Sequence, residues 1–256
     1  MKQSAFIVIL FVFALAIAYG IFEYGLGNPA NFKDVGREVP TNLMGQTYTG
    51  GPLVVLLIAL SIMDVAIIIE RTLSLRRAAG KKAIQKFFKS VIDQIRGGKI
   101  DDALTSCDDQ RGSVANILKA ALSRYKEVTT GKTAVEHEKQ LVEVQRSVEE
   151  AMMLETPILE KNLIALSTIA SIATMVGLLG TVMGMIRAFK ALAQAGAPDA
   201  IALATGISEA LINTAGGLFV AILGIVAYNF FVNKVDNFTY QVDEASYNVI
   251  QLLKSK

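Results

Sequence analysis

Four apolar stretches, at residues 5–22, 52–69, 163–186 and 200–232, constrain this 256-residue chain more than any other feature. Each is long enough to cross about 30 Å of hydrocarbon at about 1.5 Å per helical residue. Hydrophobic residues make up 52% of the chain and charged residues only 19%, a balance beyond what a soluble core requires. The expected fold is all-α: a polytopic membrane protein whose long helices extend into a cytoplasmic helical domain.

Basic residues give the direction. Arg71, Arg76, Arg77, Lys81, Lys82, Lys86 and Lys89 follow the second stretch, and such clusters stay in the cytoplasm. The connection Gly196-Ala197-Pro198-Asp199 has neither Lys nor Arg and fits the opposite side, while Lys234 closes the last stretch inside again. The expected layout is an N-terminal apolar segment with a periplasmic loop (1–51), a transmembrane helix (52–71) and a cytoplasmic helical domain (72–160). A second transmembrane helix (161–195), a periplasmic loop (196–200), a third such helix (201–233) and a cytoplasmic C-terminal helix (234–256) complete it. The first segment reads in two ways. Lys2, the apolar run and Ala16-Ile17-Ala18 resemble a signal peptide with a small-residue cleavage site, or the run is a retained helix. We take the retained helix.

Between the second and third stretches, Gly97-Gly98 and Gln110-Arg111-Gly112-Ser113 mark turns. From Thr133 a charged helical pattern begins, with Leu141, Val144, Val148 and Ala151 forming one apolar stripe. It is expected to run toward the third stretch, bent at Pro157. A structural stalk bundle is the plain reading of this region, and a regulatory docking site the alternative. Cys107 is the single cysteine, which excludes an internal disulfide and any multi-cysteine metal site. His137 is the single histidine, which excludes a His-rich zinc centre and reads as a solvated helix-face residue. No metal, cofactor or catalytic residue is expected: the one histidine and the one cysteine, candidates for base and nucleophile, both fall outside the spans, and there is no Walker-type phosphate loop. A net charge of +2 does not suggest nucleic-acid binding.

Polar groups inside the spans carry the functional signal. Glu209 lies near the outer end of the last stretch, where a carboxylate must face water, a pore or a partner. Thr174, Gly177, Thr181, Gly184 and Ala188 recur every three or four residues on the third stretch. Ala210, Thr214, Gly217, Ala221 and Gly224 do so on the fourth. Such faces suit close helix packing, or a pore wall to which the threonines lend hydroxyls. Asp64 reads as an interfacial residue pairing with Arg71 or a neighbouring subunit's lysine, with a proton relay as the alternative.

The run GLLGTVMGMIRAF (residues 177–189) resembles the GLxGTVxGxxxxF signature of the MotA/TolQ/ExbB proton-channel family. GISEAL (206–211) followed by Thr214 and Gly217-Leu218 is similar to its GIxEALxxTxxGL block, and Tyr228-Asn229 matches the dipeptide closing the last span. The resemblance covers about residues 52–240 and points to the ExbB/TolQ branch. It implies a homo-oligomer, a pentamer, in the bacterial inner membrane, enclosing the transmembrane helices of two ExbD-like or TolR-like single-span partners. In the family the proton-carrying aspartate belongs to that partner, and work passes to a TonB-like or TolA-like protein. Thr181 and Thr214 correspond by motif position to pore-facing threonines, and Glu209 to the glutamate near the outer mouth. The implied function is that of an ion-driven stator energising TonB-dependent outer-membrane transport. A TolQ-like role in a Tol-Pal envelope system and a non-conducting scaffold are the alternatives. Three positions depart from the pattern: Thr174 and Leu223 stand where proline is common, and Asn213 where a small apolar residue is usual.

Overall fold

The structure, a computed structural model, describes residues 2–37, 39–130, 137–193 and 200–254. The described residues are almost all helical, with one isolated bridge between Phe32 and Pro40. Four helices, Ala5–Leu26, Pro52–Arg96, Lys139–Ala193 and Ala200–Lys254, are long and apolar enough to cross a membrane. The short connection at 196–199 lies outside the described residues. The chain divides into two compact units: Met1–Ile69 with Leu163–Asn229, and Glu70–Asn162 with Phe230–Lys256.

The first unit is a helical membrane bundle. It contains α1 (Lys2–Gly20), α2 (Leu43–Thr49), the beginning of α3 (Pro52–Ala79), α8 (Leu163–Ala193) and the beginning of α9 (Ala200–Lys254). Ala14 and Ala18 of α1 are fully covered, so this helix is packed and not a free tail. Leu57, Leu60, Met63 and Ile67 of α3 are buried, as are Leu166, Ile169, Ala173 of α8 and Val220, Ala221 of α9. The outward sides carry Val8, Ile9, Phe13, Leu178, Val182, Ile186, Leu211, Phe219, Ile222 and Val226, all exposed. In water such a surface is an aggregation hazard; in a bilayer it faces lipid or another subunit.

A small polar-stitched segment joins α1 to α3. The Asn31 amide donates to the Gly25 and Leu26 carbonyls at 3.0 and 2.9 Å, and the Asn42 amide donates to Asn31 Oδ1 at 2.9 Å. Tyr48 stacks on Phe22 at 4.5 Å and receives a hydrogen bond from Arg37 at 3.0 Å. Arg37 also pairs with Glu23 at 3.1 Å.

In the second unit, α4 (Ile84–Arg96), α5 (Ile100–Gln110), α6 (Ser113–Thr130) and α7 (His137–Glu160) pack in sequence order. Leu141, Val144 and Val148 are buried as their spacing predicts, and Phe87, Val91, Ile95, Leu118 and Leu122 join them in the interior. The distal part of α9 buries Phe231, Val235, Phe238, Val242, Ala245 and Val249, again at alternating three- and four-residue steps. Both expected turns form, with Gly98, Arg111 and Gly112 at positive φ. Gln110, fully buried, clamps the α3–α4 connection: its Nε2 donates to the Ala79 and Lys82 carbonyls and its Oε1 accepts from Lys82 N.

Helix α7 runs through Pro157 to Glu160, and the chain turns at Asn162, whose φ is 62°. Asparagine tolerates that left-handed turn, and its side-chain amide donates to Glu70 Oε2 at 3.3 Å. Cys107, the single cysteine, is buried on α5. The side chain of His137 lies outside the described residues. Burial, with the Asp108 carboxylate beside it, pushes the Cys107 thiol up to about 12. A maleimide at pH 8 should therefore modify native protein at least about tenfold more slowly than the urea-unfolded chain, because the thiolate is the reactive species. Equal labelling rates would show the thiol to be open.

Candidate functional site

Helices α8 and α9 meet along a seam of small residues. A Cβ built on Gly184 would stand 2.6 Å from both Ala210 N and Gly206 O, and one on Gly217 would stand 2.6 Å from Ala173 O. On Gly206 it would meet Ala188 N at 2.7 Å, and on Gly177 it would meet Asn213 O at 3.0 Å. Backbone touches backbone, the arrangement small-residue spacing permits in membrane helices. Gly177, Gly184, Ala210 and Gly217 are buried in this seam, so no lumen passes between the two helices of one chain. Gly224 stands further along, against Ala170 and Asp64.

The threonines occupy different environments. Thr174 donates to the Ala170 carbonyl at 3.1 Å, the back-bond to its own helix that can replace a proline bend. Thr214, half-buried, donates to Ala210 O at 3.1 Å and lies 3.5 Å from Gly177 O across the seam. Thr181 is bound to Leu178 O at 2.6 Å and lines an open groove with Val182, Met185, Ile186 and Phe189. Thr181 and Thr214 therefore do not converge within a single chain.

Glu209 is held by groups the sequence did not single out. Its side chain is only 4% exposed, and its Oε2 accepts from Arg187 Nη1 at 2.7 Å, whose own side chain is 53% exposed. A Cβ on Gly51 would lie 3.0 Å from Glu209 Oε1, and Gly51 has a φ of +75° that disfavours any side chain. Next to this, fully buried Asn213 donates to Gly50 O at 2.7 Å and to Glu209 O at 3.0 Å. The carboxylate is thus fixed where α9 meets the turn before α3. The missed signal is positional: Arg187 and Glu209 stand at similar distances either side of the connection between two antiparallel helices.

Asp64 does not behave as expected. It is fully buried, and neither of its oxygens has a hydrogen-bond partner among the described residues. Arg71 is bound instead to Glu70, by two hydrogen bonds at 2.6 and 2.5 Å, and to the Ile158 and Leu159 carbonyls. Seven residues separate Asp64 from Arg71, about 10 Å along a helix, so the nearer carboxylate wins. A neighbouring subunit's lysine cannot reach a group that the chain's own helices cover.

Residues 109–244 match the model of the MotA/TolQ/ExbB proton channel family. The chain is 33% identical over 175 residues to the Tol-Pal system protein TolQ of Pseudomonas aeruginosa, covering 68% of this chain and 74% of that one. It is 34% identical over 180 residues to TolQ of Haemophilus influenzae, covering 69% and 76%. To the biopolymer transport protein ExbB of Neisseria meningitidis it is 26% identical over 210 residues, covering 79% and 91%. The chain belongs to the MotA/TolQ/ExbB proton channel family. Within it the chain falls in the ExbB/TolQ branch, a transport family of multi-pass proteins in the bacterial inner membrane.

Two outcomes test the seam and the ion pair. Gly184→Val should destabilise the detergent-solubilised protein by about 1–3 kcal/mol, read from its thermal unfolding, because the added carbons meet backbone. Arg187→Ala should lower the melting temperature, and Glu209→Gln added to it should restore part of the loss by removing the uncompensated charge. An additive double variant would show that the pair is not coupled.

Proposed function

We propose that this chain is a stator subunit of an ion-driven inner-membrane motor that uses the proton-motive force with an ExbD-like single-span partner. Its work energises a TonB-dependent outer-membrane transport system through a TonB-like protein. The observation that carries this reading is Glu209. It is a carboxylate of the GISEAL block, held almost buried by Arg187 against the Gly50–Gly51 turn, at the end of a span that is otherwise uncharged to Asn233.

The protein works as a homo-oligomer, a pentamer, and the apolar outer faces of α8 and α9 support this, since the chain leaves them uncovered. The close seam makes each α8–α9 pair a stiff stave, and the central lumen is built from several such staves around the partner's helices. Thr181, on the open groove, supplies a hydroxyl to the lumen wall, and Thr214 tunes the seam behind it. Glycine, alanine and threonine make a smooth wall, and a hydroxyl holds water without trapping an ion. Glu209 stands at the periplasmic mouth, where it gathers protons or sets the partner's register. Residues 72–160 form the cytoplasmic stalk.

A second reading, a TolQ-like subunit of a Tol-Pal envelope system working with TolR-like and TolA-like partners, is supported by relatives named TolQ that are 33% and 34% identical over 68% and 69% of the chain, against 26% over 79% for the ExbB of Neisseria meningitidis. Affinity purification from the native membrane separates the two by which single-span partner is recovered.

Glu209→Ala and Thr214→Val should each leave the assembled complex intact by native mass analysis. Each should reduce uncoupler-sensitive transport or envelope integrity at least about tenfold, the effect of a barrier raised by ~1.4 kcal/mol. Normal activity in both variants would reject the proposal.

A further inference from the structure

Asp64 lies within the apolar part of α3, completely covered by the membrane bundle, with both carboxylate oxygens unpartnered among the described residues. Gly224 of α9 stands against it: a Cβ there would lie 3.1 Å from Asp64 Oδ2, 3.1 Å from Ala170 Cβ and 3.2 Å from the Leu166 carbonyl oxygen. Glycine on one helix and alanine on another thus leave space for a carboxyl group where three helices meet. An ionised carboxylate in such a place, without donor or counter-charge, costs several kcal/mol. A carboxylic acid needs only an acceptor, and the Leu166 carbonyl, borders the same space.

The charged groups of the surrounding helices are committed elsewhere or do not bond to it. On α3, Glu70 and Arg71 pair with one another; on α8, Arg187 is taken by Glu209 of α9. Tyr228, the titratable residue of α9 one turn past Gly224, forms no bond with the Asp64 carboxylate.

We propose that Asp64 is a proton-binding site inside the membrane portion of this chain, separate from Glu209 and loaded and emptied during the ion-driven cycle. This rests on the function proposed above for its place in a cycle, though not for the site itself. A proton from the aqueous phase adds to the carboxylate to give the acid, and the reverse step returns it. Exchange takes place when α3 and α9 part at Gly224, where α9 carries no side chain against the carboxyl group.

The test is isotope-edited infrared spectroscopy on the complete complex in lipid nanodiscs, with carboxyl-labelled aspartate. At neutral pH the wild type should show a protonated-carboxyl stretch that shifts on transfer to heavy water and is missing in Asp64→Asn. Asp64→Asn should assemble normally and lose at least about tenfold of ion-driven activity, again the effect of ~1.4 kcal/mol. Should that variant not fold, Gly224→Ala, which crowds the carboxyl, should displace the band in an otherwise intact complex. An absent band, a band inert to heavy water, an undisplaced band in Gly224→Ala, or full activity in Asp64→Asn would overturn the proposal. An exchanging Asp64 band alongside full activity of the Glu209→Ala and Thr214→Val variants would retain the site while removing the motor reading.

Discussion

Backbone contact between α8 and α9 is the condition on which the membrane unit rests. At Gly177, Gly184, Gly206 and Gly217 the helices stand so close that one methyl group on either would meet main-chain atoms of the other. Inside a bilayer there is no hydrophobic force to bring two apolar helices together, so packing at this range supplies the attraction that water supplies elsewhere. The seam also fixes the register that brings Arg187 opposite Glu209, and the same pairing of helices presents Gly224 to Asp64.

The two acidic groups of this unit receive opposite treatment. Glu209 is nearly buried but has a charged partner whose far side reaches the surface, so the pair remains anchored to a polar environment. Asp64 is fully buried and has no hydrogen-bond donor among the described residues. A single fold thus holds one carboxylate in a fixed ion pair and leaves another dependent on its protonation state.

Much of the architecture was readable from periodicity and length. Four apolar stretches became four long helices, Leu141, Val144 and Val148 became a buried stripe, and the glycine pair at 97–98 became a turn. Polar partnership was harder. Arg187 lies within the run 177–189, yet nothing in that run marks it as the counter-ion of Glu209, because helix spacing shows which residues share a face and not which face lies opposite. Gln110 was seen only as part of a turn, yet it satisfies backbone groups on the other side of that turn. Asp64 reads in sequence as a partner of Arg71 or of a neighbouring subunit's lysine, whereas Arg71 pairs with the adjacent Glu70. Small residues of the two spans could be read as packing or as a lumen wall, and interhelical distance, which no one-dimensional pattern contains, separates those uses.

The Glu70–Arg71 pair also bears on how the second unit forms. Arginine keeps its positive charge under all ordinary conditions, and this one is 1% exposed, bound to its neighbour and to two carbonyls nearly ninety positions away. Because acid and base are consecutive residues, uniting them closes almost no loop and sacrifices little chain entropy. The nascent segment can therefore deliver a pre-neutralised fork to its docking place long before the carbonyls that receive it have been synthesised.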